Sequence, residues 1–77
     1  MESLLSFGQA LDALKSGAQV QRTGWNGKGQ FLTLHVPDEH SKMTLPYVYI
    51  TTVQGDRVPW LASQTDILAD DWRLVRD

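Results

Sequence analysis

Between Ser6 and Gly17 the apolar residues Phe7, Ala10, Leu11 and Leu14 recur at three- and four-residue spacing, the period of one helical face. Ser6 and Gln9 stand as the two members of a capping box, and Gly17, just past Lys15, is the expected stop. Beyond Gly17 the period changes. Residues 18–22 alternate around Val20, residues 31–36 are rich in strand formers, and residues 47–52, 57–61 and 71–75 read as three further strands, the last with Trp72 and Leu74 on one face. Asn26-Gly27 and Gln54-Gly55 supply turns. Pro59 has no ladder donor, so the fourth strand belongs at an edge or in an irregular segment. Ser63 reads as the cap of a short helix over 63–69, with Asp66 as the acidic member of its capping box and Ile67 and Leu68 facing the core. Residues 37–46 are polar and aperiodic, hence a loop, and Asp70-Asp71 reads as a solvated turn. The expected fold is α+β: one domain over residues 1–77, with an amphipathic helix and a short second helix packed on an antiparallel sheet of about five strands.

Composition narrows the function classes. A chain of 77 residues buries a modest core, and the absence of cysteine removes both disulfides and thiolate metal sites as staples. His35 and His40, flanked by Asp38 and Glu39, match no metal-ligand spacing. Neither a leader peptide nor an apolar run of bilayer length is expected, which points to a soluble protein compatible with a reducing cytoplasm and without a membrane partner. A net charge of −2 argues against a long nucleic acid, whose affinity rests on clustered Lys and Arg, while leaving a small anion open.

Two stretches exceed what folding requires. The link at 23–29 carries Gly24, Trp25, Asn26, Gly27, Lys28 and Gly29, and a two-residue turn needs neither three glycines nor a tryptophan beside a lysine. Glycine removes a side chain where another group approaches the backbone closely. Either this is a wide hairpin with Trp25 folded onto the core, or it is a loop offering a stacking face and a phosphate-seeking charge. The second stretch, Pro59-Trp60-Leu61-Ala62 followed by Ser63, Gln64, Thr65 and Asp66, sets four hydrogen-bonding side chains in apolar surroundings. Capping accounts for Ser63 and Asp66, whereas Gln64 and Thr65 suit a turn that also faces a ligand.

These two stretches, with Asp71-Trp72 and the opening Phe-Gly-Gln-Ala-Leu-Asp-Ala-Leu-Lys helix, resemble the phage Thoeris anti-defence 2 family over nearly the whole chain, residues 37–45 excepted. The resemblance implies a sponge, not an enzyme, acting in the cytoplasm of the infected bacterial host without a cofactor. It would bind cyclic ADP-ribose isomers made by TIR-domain sensors, as a homotetramer with pockets between protomers; some members of the family also hold cyclic di- or trinucleotides in a second type of pocket. The residue chemistry suits such a ligand. Trp25 and Trp60 can stack on a base, which contributes about 1–3 kcal/mol. Arg22, Lys28 and Arg57 are the cations nearest the motifs, and Ser63, Gln64, Thr65 and Asp66 suit ribose hydroxyls and base edges. Nanomolar sequestration corresponds to about −12 kcal/mol. A ligand of about 35 heavy atoms reaches that only when nearly enclosed, which favours a pocket shared between chains. Two rival readings are an enzyme using Thr65, Asp66 and His35, which no nucleophile elbow or paired acid supports, and a protein-binding module anchored by its tryptophans.

Overall fold

The computed structural model describes residues 4–25 and 29–75; the expected Asn26-Gly27 turn and the candidate ligand residues Asn26 and Lys28 lie outside them. Helix α1 spans Phe7–Lys15 and carries the full capping box: Gln9 N–H donates to Ser6 Oγ, and Ser6 N–H donates to Gln9 Oε1. Gly17 follows at φ 99°, a conformation that suits glycine at a helix end. The strands are β1 (Val20–Arg22), β2 (Phe31–His35), β3 (Tyr47–Thr51), β4 (Arg57–Pro59) and β5 (Trp72–Leu74), and helix α2 covers Gln64–Leu68. All pairings are antiparallel, in the order β4-β3-β2-β1-β5. The α+β fold thus stands as expected, and Pro59 sits on an edge strand where its missing donor costs nothing.

The last strand does not extend the sheet beyond β4. It returns beside the first, pairing Val20 with Leu74 and Arg22 with Trp72. Leu5 bridges to Trp72 as well, so a residue just ahead of α1 pairs with the last strand. Register sorts the side chains onto two faces. Val20, Leu32 and Trp72 point inward and are buried together with Ala10 and Leu14 of α1. Outward stand Gln21, Phe31, Thr33, Tyr49, Thr51 and Arg57, on the face opposite this core.

Helix α2 departs from expectation. Ile67 and Leu68 do not face the core; they are 45 % and 77 % exposed. The inward position is occupied by Asp66, and successive helical residues turn by roughly 100°, so its two successors are carried outward. Its cap stands at Ser63, whose Oγ accepts from Asp66 N–H and whose hydroxyl donates to Asp66 Oδ2. The other carboxylate oxygen of Asp66 takes partners elsewhere in the chain.

Candidate functional site

Asp66 Oδ1 accepts from Arg22 Nη1 at 2.8 Å and from Trp25 Nε1 at 3.2 Å. Arg22 uses a second nitrogen on Asp71: Nε donates to Asp71 Oδ1 at 2.8 Å. The guanidinium therefore bridges two carboxylates that lie five residues apart in sequence, and all three side chains are largely shielded from solvent. Asp71 is not a solvated turn residue. Its second oxygen accepts from Gly24 N–H at 2.8 Å and from the Thr23 hydroxyl at 3.2 Å. The earlier expectation failed because β5 lies next to β1, which brings Asp71 against the 22–24 segment from 47 to 49 residues away.

Behind this polar group stands an aromatic one. Trp72 is fully buried, and Phe7, Trp25 and Trp60 surround it at ring-centroid distances of 5.6, 5.4 and 6.1 Å. Trp25 and Trp60 each meet Trp72 in a T-shaped arrangement, a geometry that favours the ring quadrupoles. The Trp72 indole N–H donates to the Asp66 carbonyl, tying the rings to α2. Trp25 is thus folded back against the core, half-buried, with its polar edge engaged.

The charges follow from these contacts. Hydrogen bonding by Arg22 holds Asp71 below the usual carboxylate range, against a smaller opposing effect of burial. At Asp66 burial is the largest influence and pushes upward, yet hydrogen bonds from Arg22, Trp25 and Ser63 together outweigh it and the net direction is down. Arg22 is raised in turn by Asp71 and Asp66. Groups with depressed folded values contribute stability that is complete above their unfolded values near 4 and is lost as pH falls through the folded ones. The melting temperature is therefore expected to be flat from pH 7 to 5 and to drop steeply below about pH 4. Thermal melts across pH 2.5–7 check this, and a flat profile to pH 3 would contradict it.

The other expected site residues are distributed as follows. Ser63, Gln64 and Thr65 are exposed along the start of α2, beside the Asp66 cluster. Arg57 lies on the outer face with its guanidinium 5.8 Å from the centre of the Tyr49 ring, while Arg22 points inward. Three strand spacings also separate β4 from β1, about 14 Å. His35 bonds to Ser41 and packs on Tyr47 at the end of β2 remote from Gln30. Antiparallel register sets Arg22, the partner of Asp66, opposite that Gln30 end, so His35 lies at the other end of β2 from Arg22. Among the described residues no group of three His, Cys, Asp or Glu is arranged to hold a metal ion.

Two depressions border these residues. One, of about 230 Å³, runs beside Arg22 and Trp25 and is walled by Gln21, Gln30 and Arg73. The Arg73 guanidinium there donates twice to Gln21 Oε1, at 3.1 and 2.8 Å. The other, of about 480 Å³, lies where the 37–46 loop meets Trp60, against Met43, Leu45, Tyr47 and Pro59. Met43, Leu45, Tyr47 and Asp71 were not anticipated from sequence; the proline-bounded loop offered no periodicity to place its apolar side chains.

Residues 5–75 match the family of the Thoeris anti-defense 2-like domain. The chain belongs to that family. It is also 38 % identical over 88 residues to the protein named Thoeris anti-defense 2 of Bacillus phage SP01, an alignment that covers 97 % of this chain and 99 % of that relative. Both tryptophan-bearing motifs and the Arg22–Asp66–Asp71 network fall inside the matched residues, so the Thoeris anti-defense 2-like domain is coextensive with the fold described above. Family membership carries an anti-defence role. No helix among the described residues is long and apolar enough to cross a membrane.

Proposed function

We propose that this protein counters Thoeris defence by binding a cyclic ADP-ribose-type signal and withholding it, without chemical change, in a pocket completed by a second copy of the chain. The observation that carries this reading is the pairing of two half-buried tryptophans with the exposed Ser63, Gln64 and Thr65, inside a fold of the anti-defence family, with Arg57 exposed on the outer face for a second copy to use. A base can stack, riboses can find hydroxyl and amide partners, and a pyrophosphate can meet arginine. Catalysis fits less well. Asp66 already accepts from three side chains and His35 lies at the other end of β2, so neither is free to act as a base beside Thr65.

Surface and layout favour a shared pocket. The 230 Å³ depression at Arg22 and Trp25 is below the roughly 300–1,000 Å³ of small-molecule sites, and the 480 Å³ one beside Trp60 is separate from it. Arg57 lies on the sheet face opposite the core on which Trp25 packs, so a ligand stacked on Trp25 could meet Arg57 only across two chains. Leu45, Leu61 and Leu68 are largely exposed, an apolar surface that a second chain would cover. The same residues would serve a protein-binding module, and the assay below separates the two readings.

The test is depletion. Purified protein is mixed with a cyclic ADP-ribose isomer, free ligand is quantified, and the protein is then denatured and the ligand quantified again. Full recovery is the expected result. Depletion without recovery would make the protein an enzyme, and no depletion would remove the nucleotide reading. Arg57→Ala should leave the melting temperature within about 2 °C, because its side chain is exposed, yet weaken binding about tenfold through loss of a charge-assisted contact. Unchanged affinity would exclude Arg57 from the site.

A further inference from the structure

We propose that Asp71 is the positioning residue of the candidate site: it clamps the backbone from Arg22 to Gly24 and thereby sets where the Trp25 ring stands. This rests on the nucleotide-binding reading for its consequence, though not for its geometry. Donors from three consecutive residues converge on one carboxylate. Arg22 Nε reaches Oδ1, while Thr23 Oγ1 and Gly24 N–H reach Oδ2. The main chain adds a fourth bond, Thr23 N–H to the Asp71 carbonyl at 3.0 Å.

Gly24 shows why this link is tight. Its φ is not positive, so no special backbone conformation asks for glycine there. A Cβ at residue 24 would instead stand 2.7 Å from Asp71 Oδ2, inside any contact a real Cβ makes. The carboxylate has little freedom to withdraw, because its other oxygen is held by Arg22. Glycine at this position gives Asp71 room to reach the backbone.

The Trp25 ring is then located at two points. Its indole N–H is held by Asp66 and its ring packs on Trp72, while Asp71 fixes the residue on its N-terminal side. Asp71 is absent from the lining of the depression that Arg22, Thr23 and Trp25 border. It acts on a ligand through Trp25. A ring held in place before binding spares the complex the cost of ordering it, so loosening the clamp should appear as lost affinity.

The experiment uses the full chain with Asp71→Asn, Gly24→Ala and the double variant, and three readouts. The indole N–H resonances, assigned with a Trp25→Phe variant, report ring position. Depletion of a cyclic ADP-ribose isomer reports affinity, and thermal melts report folding. Both single variants should shift or broaden the Trp25 signal while leaving that of Trp72 in place, and should weaken binding about tenfold. The double variant should be no worse than Asp71→Asn, because both changes act through one contact. An unmoved Trp25 signal would overturn the proposal, as would a moved signal with unchanged affinity or additive losses in the double variant. If Asp71→Asn does not fold, Gly24→Ala carries the same decision with the carboxylate retained. If the unmodified protein depletes no ligand, the nucleotide reading fails, and the Trp25 signal still decides whether Asp71 positions the ring.

Discussion

Replacing Arg22 with alanine is expected to lower the melting temperature by about 15 °C. The guanidinium is the shared partner of Asp66 and Asp71, and without it two shielded carboxylates face the same space with their strongest donor gone. Removing one partner of a buried ion pair costs about 3–5 kcal/mol, and the partial exposure of these carboxylates favours the lower end. Each kcal/mol shifts the melting temperature of a domain this size by about 4–8 °C. Arg22→Lys keeps the charge but cannot fork onto both acids, so an intermediate loss is expected. Thermal melts at pH 7 and pH 3.5 check the mechanism: the difference between variant and parent should shrink at the lower pH, where the two acids begin to protonate. An Arg22→Ala protein that melts within a few degrees of its parent would show that the network contributes little.

This prediction bears on how ligand-binding data should be read. A cation chosen from sequence as a phosphate contact turns out to have two of its guanidinium nitrogens engaged within the chain. Loss of nucleotide binding in Arg22→Ala would reflect a disturbed fold, whereas the same loss in Arg57→Ala would report a contact. The two arginines are therefore not equivalent probes.

Local patterns were legible where their physics is local. The α1 capping box and its stop at Gly17 depend on residues within a few positions of each other, and they stand as read. The edge position of β4 followed from one proline. Asp71 was illegible for the opposite reason: its three side-chain partnerships span 47 to 49 residues and exist only because β5 turns back beside β1. Ile67 and Leu68 misled because a five-residue helix is too short for its period to identify the inward face, and a bonded aspartate claimed it. Gly24 lies between these cases. Its composition signalled a close backbone approach, and the approaching group is a carboxylate of the same chain. Trp25 likewise carries both readings offered for it, since it packs on the core and still borders a depression.

The largest loss is expected at Trp72. Replacement by alanine should cost about 3–5 kcal/mol, the usual range for a buried aromatic. A 77-residue domain at about 0.1 kcal/mol per residue holds roughly 8 kcal/mol in all. The rings of Phe7, Trp25 and Trp60 all rest on Trp72, so the cavity would open at the point where α1, the 22–25 segment and the chain after β4 meet. Trp72→Phe separates packing from hydrogen bonding. It keeps an aromatic ring but leaves the Asp66 carbonyl without the indole donor, an unmet bond worth about 1–2 kcal/mol. Denaturant unfolding followed by circular dichroism would rank the variants as parent, then Phe, then Ala. Trp72→Phe should also weaken nucleotide depletion more than its stability loss alone predicts, because the indole bond fixes α2 and with it the Asp66 oxygen that holds Trp25. Equal stability of the alanine and phenylalanine variants would mean that the hydrogen bond, not the ring, accounts for the contribution of Trp72.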